Sequence, residues 1–219
     1  MFGFRARNDN GVIQVSADRP YLSLHEKGTV NIGTAYNTLI NFSTPCTTVQ
    51  PPLIFFRSAW TSQGEGLTLK CGVVGSPGNW TGFRLINANT TQLSISDWFA
   101  AVWSPLQAAG PFGMRVRDAS GTVCFHSSSQ LIKFSRFITT WTYLSGNSNI
   151  STYTSGQTLA SDEYALVSQC HSHSISTRAS TNMHIGVTVT AAGVIGLVTN
   201  PSTGSLGLGY FPVLLAKIS

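Results

Sequence analysis

The sequence predicts an all-β protein built as two tandem β-sandwich-like domains. Three observations carry that expectation. Charged residues make up only 10% of the 219 residues, while Ser, Thr, Gly, Val and the aromatics dominate. This is the composition of short strands joined by polar turns, whereas long helices need Ala, Glu and Lys in bulk. Apolar and polar residues alternate over short runs, the period of a half-buried strand. Finally, one opening segment occurs twice, at the N-terminus and again close to mid-chain.

The first copy, Phe2-Gly3-Phe4-Arg5-Ala6-Arg7-Asn8-Asp9-Asn10-Gly11, is answered by Phe112-Gly113-Met114-Arg115-Val116-Arg117-Asp118-Ala119-Ser120-Gly121. Ile13 and Val15 then answer Val123 and Phe125, and Leu22 and Leu24 answer Ile132 and Phe134. The halves also end alike, with Trp98 to Val102 closing the first and Tyr210 to Leu214 the second. The expected domains are residues 1–104 and 112–219, each of about 110 residues, a comfortable sandwich size. Residues 105–111 form the expected linker, with proline at both ends and no periodicity.

Within each opening the side chains alternate, so Arg5 and Arg7 share one strand face, as do Arg115 and Arg117. Asn8-Asp9-Asn10-Gly11 and Asp118-Ala119-Ser120-Gly121 are turn chemistry, because Gly accepts positive φ and Asn or Asp favours tight turns. Each domain therefore opens on a β-hairpin. Leu53-Ile54-Phe55-Phe56 reads as a short buried strand, and Gly82 to Ile86, Tyr164 to Val167, Ile185 to Thr190 and Val194 to Val198 continue the pattern. The segment from Asp97, with Ser96 as a cap, fits a helix as well as a strand until Pro105 stops it.

No apolar run of signal-peptide length follows Met1, and the most apolar stretch, Val187 to Val198, is too short for a bilayer and interrupted by glycine. The expectation is cytosolic synthesis with no membrane insertion. Cys46, Cys71, Cys124 and Cys170 form no C-x-x-C pair, which removes zinc ribbons and thioredoxin chemistry and leaves free, buried thiols. Four Asn-x-Ser/Thr triplets are read as accidents of a Ser/Thr/Asn-rich chain.

Chemistry is sparse. The eight carboxylates show no paired arrangement, and there is no G-x-S-x-G elbow, P-loop, dinucleotide fingerprint or H-E-x-x-H. No enzymatic activity and no resident cofactor are expected. One metal arrangement is conceivable: His171 and His173 fall on one face of a strand, and three such pairs around a threefold axis would suit an octahedral ion. The alternative is a polar strand face with two uncoordinated imidazoles. Arg5, Arg7, Arg115 and Arg117 are candidate interface residues, or a solvated face that discourages edge pairing. Nucleic acid is not expected as a partner, because no helix or aromatic platform of a recognised module accompanies the basic residues. Trp80, in a turn-rich loop, is a candidate contact residue for a partner or a sugar ring.

The run Phe112 to Ser127 resembles the opening of small tail-associated virion proteins of tailed bacteriophages. Those begin with an aromatic-Gly pair, an alternating strand, an Ala/Ser-Gly turn and a second strand ending in an acidic or polar residue plus Ser. Phe2 to Ser16 is similar but departs at Asp9-Asn10 and Gln14, and Cys124-Phe125-His126 stands where an acidic residue is commoner. The resemblance covers these two short segments. It implies a non-enzymatic structural protein of the tail tip, baseplate or fibre, made in the bacterial cytoplasm and carried in the virion. Its partners would be other tail proteins, further copies of itself in threefold or sixfold symmetry, and a host receptor. Two other readings stay open: a carbohydrate- or receptor-binding module, and a capsid decoration protein.

Overall fold

A computed structural model of the chain describes residues 5–7, 13–16, 21–32, 37–59, 69–87, 94–103, 113–146, 151–168, 172–173, 183–190, 192–200 and 211–219. All of its regular structure is strand: β1 (Arg5–Arg7), β2 (Ile13–Ser16), β3 (Ser23–Ile32), β4 (Asn37–Cys46), β5 (Leu53–Ala59), β6 (Leu69–Ser76), β7 (Asn79–Asn87) and β8 (Ser94–Val102) in the first half. The second half holds β9 (Arg115–Arg117), β10 (Val123–His126), β11 (Ile132–Ile138), β12 (Thr142–Gly146), β13 (Ser151–Thr158), β14 (Tyr164–Leu166), β15 (Ser172–His173), β16 (Met183–Val189), β17 (Val194–Asn200) and β18 (Val213–Ile218). The segment from Asp97 is a strand. Trp98 to Val102 are all buried, so both of its faces are covered. The expected linker lies outside the described residues.

The two openings fold alike. β1 and β2 pair as Arg5–Ser16, Ala6–Val15 and Arg7–Ile13, and β9 and β10 pair as Arg115–His126, Val116–Phe125 and Arg117–Val123. Every partner is shifted by the same 110 residues (Arg5 to Arg115, Ser16 to His126), and both ladders are irregular at the same step. The second turn is built as its residues require. Gly121 has φ of +85°, and the Asp118 carboxylate accepts the Ser120 and Thr122 amides at 2.9 and 2.8 Å.

The remaining strands form a six-stranded sheet, β11-β18-β14-β5-β8-β3, and an eight-stranded sheet, β12-β13-β17-β16-β6-β7-β4, with β15 on β16 off that path. Both orders are mirror-like. β3, β8 and β5 match β11, β18 and β14, while β4, β7 and β6 match β13, β17 and β16. The segments 1–104 and 112–219 therefore do not close as two separate sandwiches. They meet edge to edge at β5–β14, where Phe55 faces Leu166 and Phe56 faces Ala165, and at β6–β16, where Leu69 faces Val187. Leu53-Ile54-Phe55-Phe56, a run apolar on both faces, lies at the middle of the six-stranded sheet, where a packed core covers each side.

That run divides between two cores. Ile54 and Phe56 point between the sheets, among Phe42, Phe83, Trp98 and Leu197. Phe55 points the other way, stacked on Phe99 at 4.6 Å, beside Leu166 and Ala216. The second core is enclosed because the six-stranded sheet meets itself at one end. Ser23 on β3 bridges to Leu131 beside β11, with Leu24 N donating to Gln130 O at 2.8 Å and Ile132 N to Leu22 O at 2.9 Å. Each fully buried Phe or Leu contributes about 2–3 kcal/mol.

Glycine repeats at matching places. Gly82 pairs with Asn41 and Gly196 with Thr154. A side chain at Gly82 would run into the Ile40 carbonyl. At Gly196 a Cβ would lie 2.7 Å from both the Tyr153 carbonyl and the Thr188 hydroxyl. No helix among the described residues is long and apolar enough to cross a membrane.

Candidate functional site

The residues singled out in the sequence fall in separate places. Arg115 and Arg117 are exposed on β9 with Val116 buried between them, as alternation requires. Arg117 donates to Gly121 O at 2.6 Å, across its own turn. Arg5 and Arg7 occupy the corresponding strand positions of β1, and their side chains lie outside the described residues. Near Val116 the structure gathers Tyr21 and Phe125, whose rings meet edge-on at 6.0 Å. Trp80 is half-buried. Its indole N–H donates to Thr48 O at 2.9 Å, and the same carbonyl accepts Gly78 N at 2.9 Å. The indole therefore holds the segment after β4.

His171 lies outside the described residues. His173 is on β15, where its backbone faces Met183 and that of Ser172 faces His184. Among the described residues, no three His, Cys, Asp or Glu side chains come together as a metal site. Cys46, Cys71 and Cys124 are buried and in no disulfide, and Cys170 lies outside the described residues.

Two features were not evident from sequence. One is a groove of about 340 Å³ between β3 and β4, lined by His25, Glu26, Ser43, Thr44, Cys46 and Thr48 among others. It arises from an irregular step in the β3–β8 ladder between Leu24 and Glu26, which breaks the alternation at His25. The side chains it redirects reach β4. His25 Nε2 donates to Thr44 O at 3.0 Å, and Glu26 accepts both the amide and the hydroxyl of Ser43 at 2.9 Å. The Cys46 thiol lies 3.0 Å from the Thr48 hydroxyl. These bonds fasten polar groups to the neighbouring strand. They do not pair a nucleophile with a base.

β11 carries the same irregular step at the matching place, between Phe134 and Arg136. Arg136 is at the position of Glu26 and also reaches across to the other sheet, donating to Thr158 O at 2.5 Å and Gln157 at 3.0 Å. It also grips buried Glu163 through two bonds of 3.2 and 2.7 Å. Burial pushes the Glu163 carboxyl up. Hydrogen bonds from Arg136, the Ala160 amide and Ser135 outweigh that and hold it below its ordinary value.

The other feature is an apolar edge. All five residues of β12 are exposed, with Leu144 at 59% and Tyr143 beside it. β12 ends the eight-stranded sheet and has no counterpart among the described residues of the first half. Just before it, on β11, Phe137 is 63% exposed, and exposed Phe134 lies near exposed Trp103, ring centres 6.5 Å apart. Scattered exposed apolar residues are ordinary, but several large ones along one corner of a sandwich mark a contact surface. Edge exposure arises from tertiary packing, and alternation in sequence carries no sign of it.

No family model matches the chain, and neither a curated protein nor a solved structure matches it.

Proposed function

We propose that this protein is a non-enzymatic structural subunit of a bacteriophage virion, at the tail tip or baseplate, which works by docking against neighbouring subunits. The observation that carries the binding role is the apolar corner of β11 and β12, with Phe137, Tyr143 and Leu144 turned to solvent. Such side chains are favourable only when covered, and aromatic anchors dominate the energetics of protein interfaces. The polar groups of the β3–β4 groove are engaged with backbone and hydroxyls, in keeping with a role in architecture. The placement in a tail rests on the resemblance of Phe112 to Ser127 to tail-associated proteins. Other tail proteins and further copies of the chain are the proposed partners, with a host receptor at the distal end.

Electron microscopy of particles made without the gene tests this reading. Defective or missing tail tips are the expected result, and intact tails with normal adsorption contradict it. A glycan array is the test of the carbohydrate-binding alternative, whose candidate contact residue, Trp80, is half-buried with its indole N–H on Thr48 O. A capsid decoration role would place the chain on the head in the same micrographs.

A further inference from the structure

The two outer strands of the eight-stranded sheet are treated differently, and the difference identifies an interface. The outer edge at β4 is closed by its own chain. Glu26 takes the Ser43 amide, His25 takes the Thr44 carbonyl, and Pro45 has no amide to offer. These are the devices by which sheet edges avoid pairing with other chains. Among the described residues β12 has no such side-chain bonds to its backbone. It is irregular between Tyr143 and Ser145, and the Tyr143 ring rests edge-on against Tyr153, but the strand has no proline and no charge, and all five of its residues are exposed. From Phe137 to Ser161 the sequence has no Lys, Arg, Asp, Glu or His, although the chain as a whole carries a formal charge of +5. Two copies of a cationic chain repel over most of their surface, and an uncharged edge is where they approach without that penalty.

The geometry points to a second copy of this chain as the occupant of the β12 edge, paired antiparallel β12 to β12 about a twofold axis. The chain already joins its own two halves in this way, strand edge to strand edge, at β5–β14 and β6–β16. Pairing at β12 continues the same eight-stranded sheet into a second subunit. It is also isologous, since the same patch serves both partners. Main-chain hydrogen bonds supply the register, with Tyr143 and Leu144 close to the axis on opposite faces of the joined sheet. This deepens the proposed subunit role by naming a self-contact, and it rests on that reading only for its biological setting.

Sedimentation velocity of the purified full chain, from micromolar to near-millimolar concentration, is the test. The wild type sediments as a reversible dimer. Leu144→Lys, at an exposed position that folding does not need, weakens the dimer by about tenfold or more with unchanged circular dichroism and melting temperature. Leu39→Lys, at an exposed position on β4, leaves the dimer intact. Hydrogen exchange reads the same contact, with slowed amides over 142–146 in the wild type and fast ones in Leu144→Lys. A wild type that stays monomeric throughout overturns the inference, as does a dimer that survives Leu144→Lys with unprotected β12 amides. A dimer found for a chain that is absent from virions removes the virion role and leaves this contact standing. A monomer found within virions does the reverse.

Discussion

Trp98 lies directly across Gly28. The two residues are partners on β8 and β3, and a Cβ at Gly28 would stand 3.1 Å from ring atom Cζ2 and 3.2 Å from Cε2 and Nε1. In the second half, the corresponding pair is Ile138 and Val213. The same site is filled once by a tryptophan over a glycine and once by two medium aliphatic residues. Gly28→Ile alone is expected to destabilise by about 1–3 kcal/mol through overpacking. Trp98→Val alone is expected to cost about 3 kcal/mol through the lost volume. The double variant, which reproduces the second-half pair, should cost clearly less than the sum of the two. Urea unfolding of the four proteins measures this, and strict additivity would show that the two halves do not share a packing site.

Gly82→Ala and Gly196→Ala should each destabilise by about 2–4 kcal/mol, since the added methyl meets a backbone carbonyl of the neighbouring strand. Gly72→Ala, on the same sheet, meets nothing within 4 Å and should cost about 1 kcal/mol or less. Thermal melts of the three variants give the comparison.

Acid should weaken the fold in a defined window. Hydrogen bonds from Arg57 and Thr29 hold Asp97 below its ordinary value of 3.8, against the opposing effect of burial. Glu163 is held below its ordinary value of 4.5, as Arg136 and its other donors overcome burial. A carboxyl whose folded value is depressed contributes stability that is fully present above the unfolded value and is lost as pH falls through the folded one. Unfolding free energy is therefore flat from neutral pH to about 5 and falls steadily below about pH 4.5. Glu163→Gln lowers stability at neutral pH and flattens part of that fall. Arg136→Ala, which leaves a buried carboxylate without its guanidinium, should cost about 2 kcal/mol at pH 7. The figure is below that of a fully buried pair because 35% of the Arg136 side chain remains exposed.

The thiols of Cys46, Cys71 and Cys124 are buried and outside any disulfide. They should react with a thiol reagent at a rate set by unfolding, many-fold slower in the native protein than in urea. Fast labelling of any of the three under native conditions, read by peptide mass, would contradict the packing around that residue.

Strand character was legible because polar and apolar residues alternate and turn residues stand between the runs. The two hairpins were legible because Arg5-Ala6-Arg7 and Arg115-Val116-Arg117 keep both spacing and chemistry. What joins the halves was not. The β5–β14 contact depends on Leu53-Ile54-Phe55-Phe56 lying at the middle of a sheet. The sequence shows that run to be apolar on both sides without naming the strand beside it. The match between chain ends was also offset: by strand pairing, Ala100 corresponds to Leu215, each sitting opposite an equivalent residue of β5 or β14. The irregular step at His25 and the bare edge of β12 left no mark in the periodicity, because both result from how strands meet.

The proposed virion role is tested most directly by looking for the chain in purified phage particles raised with its gene, using wild type and a Phe137→Ser, Leu144→Lys double variant. The wild-type chain is expected in purified virions, at the tail tip by immunogold labelling. The variant is expected to accumulate in soluble, folded form and to be missing from them. Virions that lack the wild-type chain, or that take up the variant at an equal level, would contradict a docking role for the β11–β12 corner.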